Sequence, residues 1–545
     1  MAGSIIVPGF SSSTKTPGFY AAVVLGGPGT SAGAAPITEL HMGNLIGTAI
    51  TGSSPTLAVA AGTGSLNTPY PVYSPAGSAL LFGAGSELHL MALAAFAHDP
   101  AITLVQMATA QGSTASTGTA TVTFTSGSNP TGPLTIAITV CGRTCYTTTL
   151  GTADTATTVA TAIATAINQQ TNWPVTAQFS SGVVTVTAKH TGIRSQNINC
   201  RFLLQYGTSA SFAGSVGGSL VAATLQNTIL TLTTFAAQGG VALLQGGTTE
   251  ESLTTPLANI AGTRYGRYVC AQQGSTALAA ISAQLTSMAA VSVGYRQQAV
   301  VASLASLSGA TTLATAINNP RMQMAWSYNS DLTTGEIAAS VCATRVAGDG
   351  NLVSVNPRSG ENTTPAANLD GANLLVPPQF ATADQATATQ IESALNHGLT
   401  PVVPLGNSGR STISRSITTF FLDASSNPNY AVIDTEFVTV CDAVADALQA
   451  QYGIDFAGFN VVADPADGSP IKIAKTTTPN GVFAWAFKWL KSYEAQGWIQ
   501  QVDAKKSQLA VILDPSTSGR LLANIPVFPA SNLHQLAGVV TQLSN

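Results

Sequence analysis

The sequence predicts a multi-domain protein of mixed α/β and α+β class. It divides into an α/β layer, a small inserted β-rich domain and an α+β C-terminal domain, with an extended arm at each end. Three observations predict this. Short apolar strands alternate with helical stripes through residues 225–400, the pattern of a largely parallel sheet. Within 112–205 the apolar period drops to two, as in half-buried strands. Residues 401–532 carry two long helical stripes.

Residues 1–35 are rich in Gly, Pro and Ser with brief apolar runs (Ile5-Ile6-Val7, then Tyr20 to Leu25), which reads as an extended arm. A helix is predicted over 86–98. Ser86 is its N-cap, Leu88, Met91, Ala92, Ala95 and Phe96 form one apolar face, and Pro100 stops it. In the inserted stretch, 121–124, 136–140, 144–148 and 183–188 alternate as strands do. Val159, Ile163 and Ile167 mark a helix among them. Further on, Tyr268-Val269-Cys270, 299–302 and 322–326 are short apolar strands, and Leu278, Ile281, Leu285 and Met288 mark a helix between two of them. The Gly/Asn/Pro-rich run 347–378 reads as a loop. Over 436–452, Phe437, Val440, Cys441, Val444 and Leu448 make a stripe, with Gly453 placed to end the helix. A second helix, 482–496, is apolar on a wide face, with Lys488 and Lys491 on the remainder. Residues 537–543 form a strand with no local partner.

Composition narrows the function. Of 545 residues, 45% are hydrophobic and 8% charged, with a net charge of −4. An ordinary soluble protein carries roughly 25% charged residues. So few charges protect a free monomer poorly against association, and much of the surface is expected to be covered by copies or partners. The near-neutral balance argues against nucleic-acid contact. There is no apolar run long enough for a membrane helix and no signal peptide at residues 1–8, so folding in a cytoplasm is expected.

The cysteines, Cys141, Cys145, Cys200, Cys270, Cys342 and Cys441, show no zinc spacing, and no metal or cofactor is expected. A Gly142-Arg143 turn would pair Cys141 with Thr144 and point Cys141 and Cys145 to opposite faces, as free thiols or as an inter-subunit bond. No nucleophile elbow, P-loop or H-E-x-x-H occurs. Gly83-Ala84-Gly85 fails the dinucleotide fingerprint. His89 and His98, nine apart, read as ordinary surface or partly buried histidines. Asp442 and Asp446 share a helix face. A solvated face is expected there, with an acid/base pair as the alternative. Lys505-Lys506 reads as a solvated turn, with part of a partner contact as the alternative. No enzymatic activity is expected.

The order of several stretches resembles the tail sheath proteins of contractile phages, Mu-like phages in particular. These are Ile6-Val7-Pro8-Gly9-Phe10, Pro17-Gly18-Phe19-Tyr20, Phe82-Gly83-Ala84-Gly85-Ser86-Glu87-Leu88 with Met91 and Ala95-Phe96, Cys141-Gly142-Arg143, Ala166-Ile167-Asn168 and Pro174-Val175-Thr176-Ala177. They continue with 182–192, Gly398-Leu399-Thr400-Pro401 and Ser416-Ile417-Thr418-Thr419-Phe420. The cysteines beside Gly142-Arg143 depart from the polar residues usual there.

The resemblance implies a subtilisin-like α/β sheath core without a protease triad. It implies stacked hexameric rings around a tail tube, with a baseplate and a tail terminator at the ends, in a virion assembled in the bacterial cytoplasm; the alternatives are the sheath of an R-type bacteriocin or another contractile injection system, a secreted Thr/Ser-rich adhesin or surface-layer protein, and an α/β hydrolase. It divides the chain into a linking arm (1–35), the first part of the core (36–111), an outward β-rich insert (112–205), the α/β sheath domain (206–400), a tube-facing C-terminal domain (401–532) and a linking strand (533–545). Linking is implied for Ile5, Ile6, Val7, Phe10, Phe19 and Tyr20 at one end and Val539, Val540 and Leu543 at the other, by strand addition between subunits. Lys472, Lys475, Lys488 and Lys491 are candidates for a weakly held tube contact, or else a solvated face.

Overall fold

The computed structural model describes residues 37–530 except 111, 113, 125–133, 152–153, 207–209, 212–220, 226–227, 234–235, 239–240, 245, 291, 354–368, 407 and 467–472. Its centre is an eight-stranded sheet. The strand order is Ser411–Ile413, Thr400–Pro404, Met322–Trp326, Gln298–Ser303, Arg267–Cys270, Thr38–Gly43, Thr103–Ala108 and Pro69–Val72. The six inner strands are parallel and each edge strand is antiparallel to its neighbour.

Alternation along the strands explains the two buried faces. Val269, Val300 and Ala325 meet helices Glu87–His98 and Thr334–Val353 through Leu88, Met91, Ile337 and Val341. Tyr268, Val301 and Met324 meet helices Ser275–Met288 and Leu307–Ile317 through Leu278, Ile281, Leu285 and Ala314. Ser86 caps the first of these helices, its hydroxyl accepting from the His89 amide at 3.1 Å. The run 347–378 is not all loop, because the helix that begins at Thr334 continues to Val353.

The insert leaves the layer after Thr103–Ala108. One sheet orders Val221–Leu225, Thr228–Thr233, Ala115–Phe124, Val183–Thr191 and Val175–Ser180. A second orders Ala210–Ser211, Cys200–Tyr206, Leu134–Val140 and Arg143–Tyr146. Helix Ala156–Asn168 packs between them through Val159, Ile163 and Ile167 on Ile136, Ile138, Val184 and Val186. Strand pairing thus carries the insert's sheet past residue 205, to Thr233.

The hairpin turn differs from the expected one. Val140 pairs Arg143 and Ile138 pairs Cys145, so the turn is Cys141-Gly142, with φ of 45° and 72°. Two positive φ values are what a tight two-residue hairpin turn demands. Cys141 and Cys145 therefore join the same apolar core instead of opposite faces.

In the C-terminal region, helices Thr435–Asp455 and Pro479–Ala495 share a core of Val440, Val444, Leu448, Leu490, Tyr493 and Trp498. Gly453 does not end the first helix. It runs on to Asp455, where Phe456 packs on Tyr452 and Trp485 at ring separations of 5.5 and 5.3 Å. Strands Ala510–Leu513 and Leu521–Asn524 form a separate hairpin lying on helix Pro479–Ala495.

Candidate functional site

In open parallel sheets, ligands bind in the crevice beyond the carboxyl ends of the strands, where the chain reverses its direction of travel across the sheet. Here that point lies at strand Thr38–Gly43. The chain adds Pro69–Val72 and then Thr103–Ala108 on one side and, after the insert, Arg267–Cys270 on the other. The residues just beyond these ends are Asn44, Thr109 and Gln272, all buried.

The crevice is filled from within the chain. Arg194 of the insert donates from Nε to both Glu87 carboxylate oxygens at 3.1 Å, and from one terminal nitrogen to Glu251 at 2.7 Å. The side chains of Arg194, Glu87 and Glu251 are 1%, 2% and 3% exposed. Neutral donors complete the carboxylates. The Asn44 amide reaches Glu87 at 2.8 Å, and Thr109 and Gln272 reach Glu251 at 2.6 and 2.9 Å. Burial pushes the Glu251 carboxyl up, but the Arg194 charge and these hydrogen bonds outweigh it and hold it below its ordinary range.

Two more cations of the insert reach the same side of the layer. Lys189 donates to the carbonyl of Ala84 in the layer at 3.0 Å and to that of Thr171 in the insert at 2.7 Å. Burial lowers its pKa to about 8. Arg143 pairs with Glu336, in the first turn of helix Thr334–Val353. Glu87 likewise opens helix Glu87–His98, where a negative charge favours the helix dipole.

A second polar seam lies at the amino ends of the strands. Thr435, Thr439, Asp442 and Asp446 recur at helical spacing along one face of helix Thr435–Asp455. Asp442 takes both Arg321 terminal nitrogens, at 2.6 and 2.8 Å. Asp446 takes Arg264 and Arg296. Thr439 accepts from Arg267 and Arg345 at 3.1 and 3.2 Å. Asp442 and Asp446 are therefore neither a solvated face nor an acid/base pair. Arginines from distant parts of the chain neutralise both.

His98 is partly buried, as expected, whereas His89 is buried. Burial, with Lys189 and Arg143 nearby, lowers His89 to about 4, and burial lowers His98 to about 4. The Leu375 amide donates to His98 Nε2 at 3.1 Å, and Nδ1 lies 3.2 Å from the Thr344 hydroxyl. All six cysteines are free and buried. Burial raises the Cys141 thiol well above its ordinary value and the Cys145 thiol to about 11. Their burial is at odds with a bond to a neighbouring subunit.

The linking residues Ile5, Ile6, Val7, Phe10, Phe19, Tyr20, Val539, Val540 and Leu543 lie outside the described residues, as does Lys472. Lys475 and Lys488 are exposed, Lys488 with its ammonium 5.5 Å from the Trp489 ring centre. Lys491 is engaged within the chain by Glu494 and by Asp503 at 2.8 Å. Lys506 lies 4.7 Å over Phe487, so the Lys505-Lys506 turn also rests on aromatic surface. Exposed Phe459, Val462 and Ile473 lie beside Lys475, where the Asn460 amide donates to the Lys475 carbonyl at 2.7 Å.

Sheet edges differ in what they offer. At one edge of the central sheet Pro69 and Pro71 have no N–H. The other edge is covered by 371–374, with hydrogen bonds from Gly371 to Ile413 at 2.8 Å and from Leu374 to Ser411 at 2.9 Å. Hairpin Ala510–Leu513/Leu521–Asn524 has, among the described residues, no third strand, and its residues are at least part-exposed.

Fold and site together define a multi-domain mixed α/β protein whose ligand crevice is filled by its own insert. No protein-family model matches the chain, and no curated relative matches it. Among solved structures it is similar to two sheath tail proteins, the family the sequence resembles. One is from Desulfitobacterium hafniense, 12% identical over 91% of this chain and 97% of that one, with a TM-score of 0.42. The other is from Listeria innocua, 10% identical over 92% and 94%, also at 0.42. A flagellar cap protein from Escherichia coli matches over 34% of this chain and 56% of its own, at 17% identity and a TM-score of 0.13. At these TM-scores the likenesses are loose.

Proposed function

We propose that the chain is the sheath subunit of a contractile phage tail. It polymerises as stacked hexameric rings around a tail tube, between a baseplate and a terminator. It contracts to drive the tube through the host envelope during genome ejection, and it catalyses nothing. Neighbouring subunits are linked by strands lent from residues 1–35 and 533–545. The observation that carries this reading is the hairpin Ala510–Leu513/Leu521–Asn524. It is a small apolar sheet without a third strand among the described residues, in a protein whose main sheet carries prolines in one edge strand and is covered by residues 371–374 at the other. Strand addition needs such an open edge, and backbone hydrogen bonds tolerate rotation of the bodies they connect. The scarcity of charge fits a surface buried by copies of itself. A hydrolase is disfavoured because its crevice would have to hold substrate where Arg194 sits. Lys475 and Lys488 are the proposed tube contacts, while Lys491 is already engaged.

The test is electron microscopy of purified full-length protein and of chains lacking 1–20 or 533–545. Long hollow polymers are expected from the full chain. Folded protein that fails to form linked rings is expected from each truncation. Compact monomers from the full chain, or normal polymers from both truncations, would overturn the proposal.

A further inference from the structure

We propose that Arg194 is a built-in ligand of the switch-point crevice, locking the insert and the α/β layer into one rigid body. The joint stands on the folded chain alone and does not depend on polymerisation.

Four sets of contacts carry it. The first is the buried Arg194 cluster, in which one guanidinium spans Glu87 of the layer and Glu251 of the returning chain. A bidentate guanidinium–carboxylate pair fixes orientation as well as distance. The second is the neck, where the chain crosses between the two units. The Ser116 and Ser195 hydroxyls are 2.7 Å apart, the Gly247 amide donates to Ser116 at 3.0 Å, and the Ile193 amide donates to the Thr249 carbonyl at 3.2 Å. A Cβ at Gly247 would lie 2.3 Å from the Gly192 carbonyl oxygen, and one at Gly112 would lie 2.2 Å from that of Thr248. Outgoing and returning chains are thus packed backbone to backbone, which leaves no slack for a hinge. The third set is Lys189 on the Ala84 carbonyl and Arg143 on Glu336. The fourth comes from the layer side. Hairpin Ile50–Ser53/Thr56–Val59 reaches the insert, and its Ser54 carbonyl accepts from the Phe179 amide at 2.9 Å.

The charge inventory adds to this. Arg143, Asp154, Lys189, Arg194 and Arg201 are the charged residues of the stretch 112–249. Arg143, Lys189 and Arg194 all face the layer. Chains joined by a loose linker ordinarily meet through small polar interfaces and move relative to one another. This joint is buried and ionic, with its carboxylates satisfied by neutral donors as well.

Amide hydrogen exchange on the full-length protein tests it. The reporters are the Asn44 amide, which donates to Glu87, and the Gly85 and Gly247 amides. In the wild-type chain they are expected to be protected as well as the strand centres at Val269 and Val301, because opening the joint requires opening the body. Arg194→Met should lower reporter protection by about a hundredfold, while residues 183–188 and 298–303 keep theirs. Wild-type reporters that exchange about a hundredfold faster than the strand centres would overturn the proposal, whether or not the variant folds. So would a folded Arg194→Met chain with unchanged reporters.

Discussion

Replacing Asp442 by Asn should uncouple helix Thr435–Asp455 from the sheet. The carboxylate is the bidentate partner of Arg321, at 2.6 and 2.8 Å, and the two side chains are 7% and 6% exposed. Asn keeps the shape and one acceptor but removes the charge, leaving a buried guanidinium without its counter-ion. Breaking one side of a buried pair costs about 3–5 kcal/mol. The retained acceptor argues for the lower end, about 3 kcal/mol, or roughly a hundredfold in the local folding equilibrium. Trp485, Trp489 and Trp498 lie in the C-terminal unit and Trp173 and Trp326 elsewhere. In a Trp173→Phe/Trp326→Phe background, emission therefore reports on the unit under test. Urea titration of that background with and without Asp442→Asn should show the loss. Adding Arg321→Met should recover much of it, because a neutral pair carries no stranded charge. A loss below about 1 kcal/mol, or a double variant weaker than either single one, would refute the assignment of this seam as an ion-pair joint.

Acid should act on the partly buried His98. The folded pKa of His98 is about 4 against an ordinary 6.5, so its contribution is complete above pH 6.5 and is lost as pH falls towards 4. It amounts to up to about 3 kcal/mol. His98→Gln should flatten the fall in thermal midpoint over that window, measured by calorimetry. Gly85→Ala should destabilise by about 2 kcal/mol or more, seen as a lowered midpoint. Its φ is +82°, and a Cβ would lie 2.1 Å from the Trp173 carbonyl oxygen. Lys475→Glu with Lys488→Glu should leave polymerisation intact while impairing assembly around tubes, scored by counting sheathed and bare tubes in micrographs. Lys491→Glu should instead lower thermal stability slightly, since it breaks contacts to Glu494 and Asp503.

Much of the fold is written in local pattern. Helix Glu87–His98 has a capping serine, an apolar face and a proline stop within a few residues, and all three act locally. The parallel strands are legible because burial on both faces requires continuous apolar runs such as Tyr268-Val269-Cys270. What escapes the sequence is decided at long range. Nothing near Cys141 reveals that Gly142 must approach Asp331 so closely that a Cβ would sit 2.6 Å from its carboxylate, or that Arg143 is drawn to Glu336. Those contacts set the turn one residue earlier than the Gly-Arg pair suggests. The spacing of Asp442 and Asp446 gives their shared face correctly but not what it meets, because Arg264, Arg296 and Arg321 lie far away in sequence. One sequence signal for Arg194 does exist. In a stretch with only five charged residues, each is a candidate for a structural role.

That signal extends to the whole chain. Low charge reads at first as a property of the surface, yet several of the described charges are buried at the two ends of one sheet. At the carboxyl ends the insert supplies cations and the layer supplies Glu87 and Glu336. At the amino ends the layer supplies Arg264, Arg296 and Arg321, and the C-terminal helix supplies the acids. The central pair of each joint, Arg194 with Glu87 and Arg321 with Asp442, is charged and buried, so salt screens it little and its geometry is specific. On the sheath reading proposed above, a chain with 8% charged residues suits close contact between copies, where a stray charge would have to be desolvated. A subunit that must be repacked against its neighbours without changing internally gains from both features. Its own parts are keyed together by ion pairs, and on the proposed reading its contacts with other copies would fall to backbone and uncharged side chains.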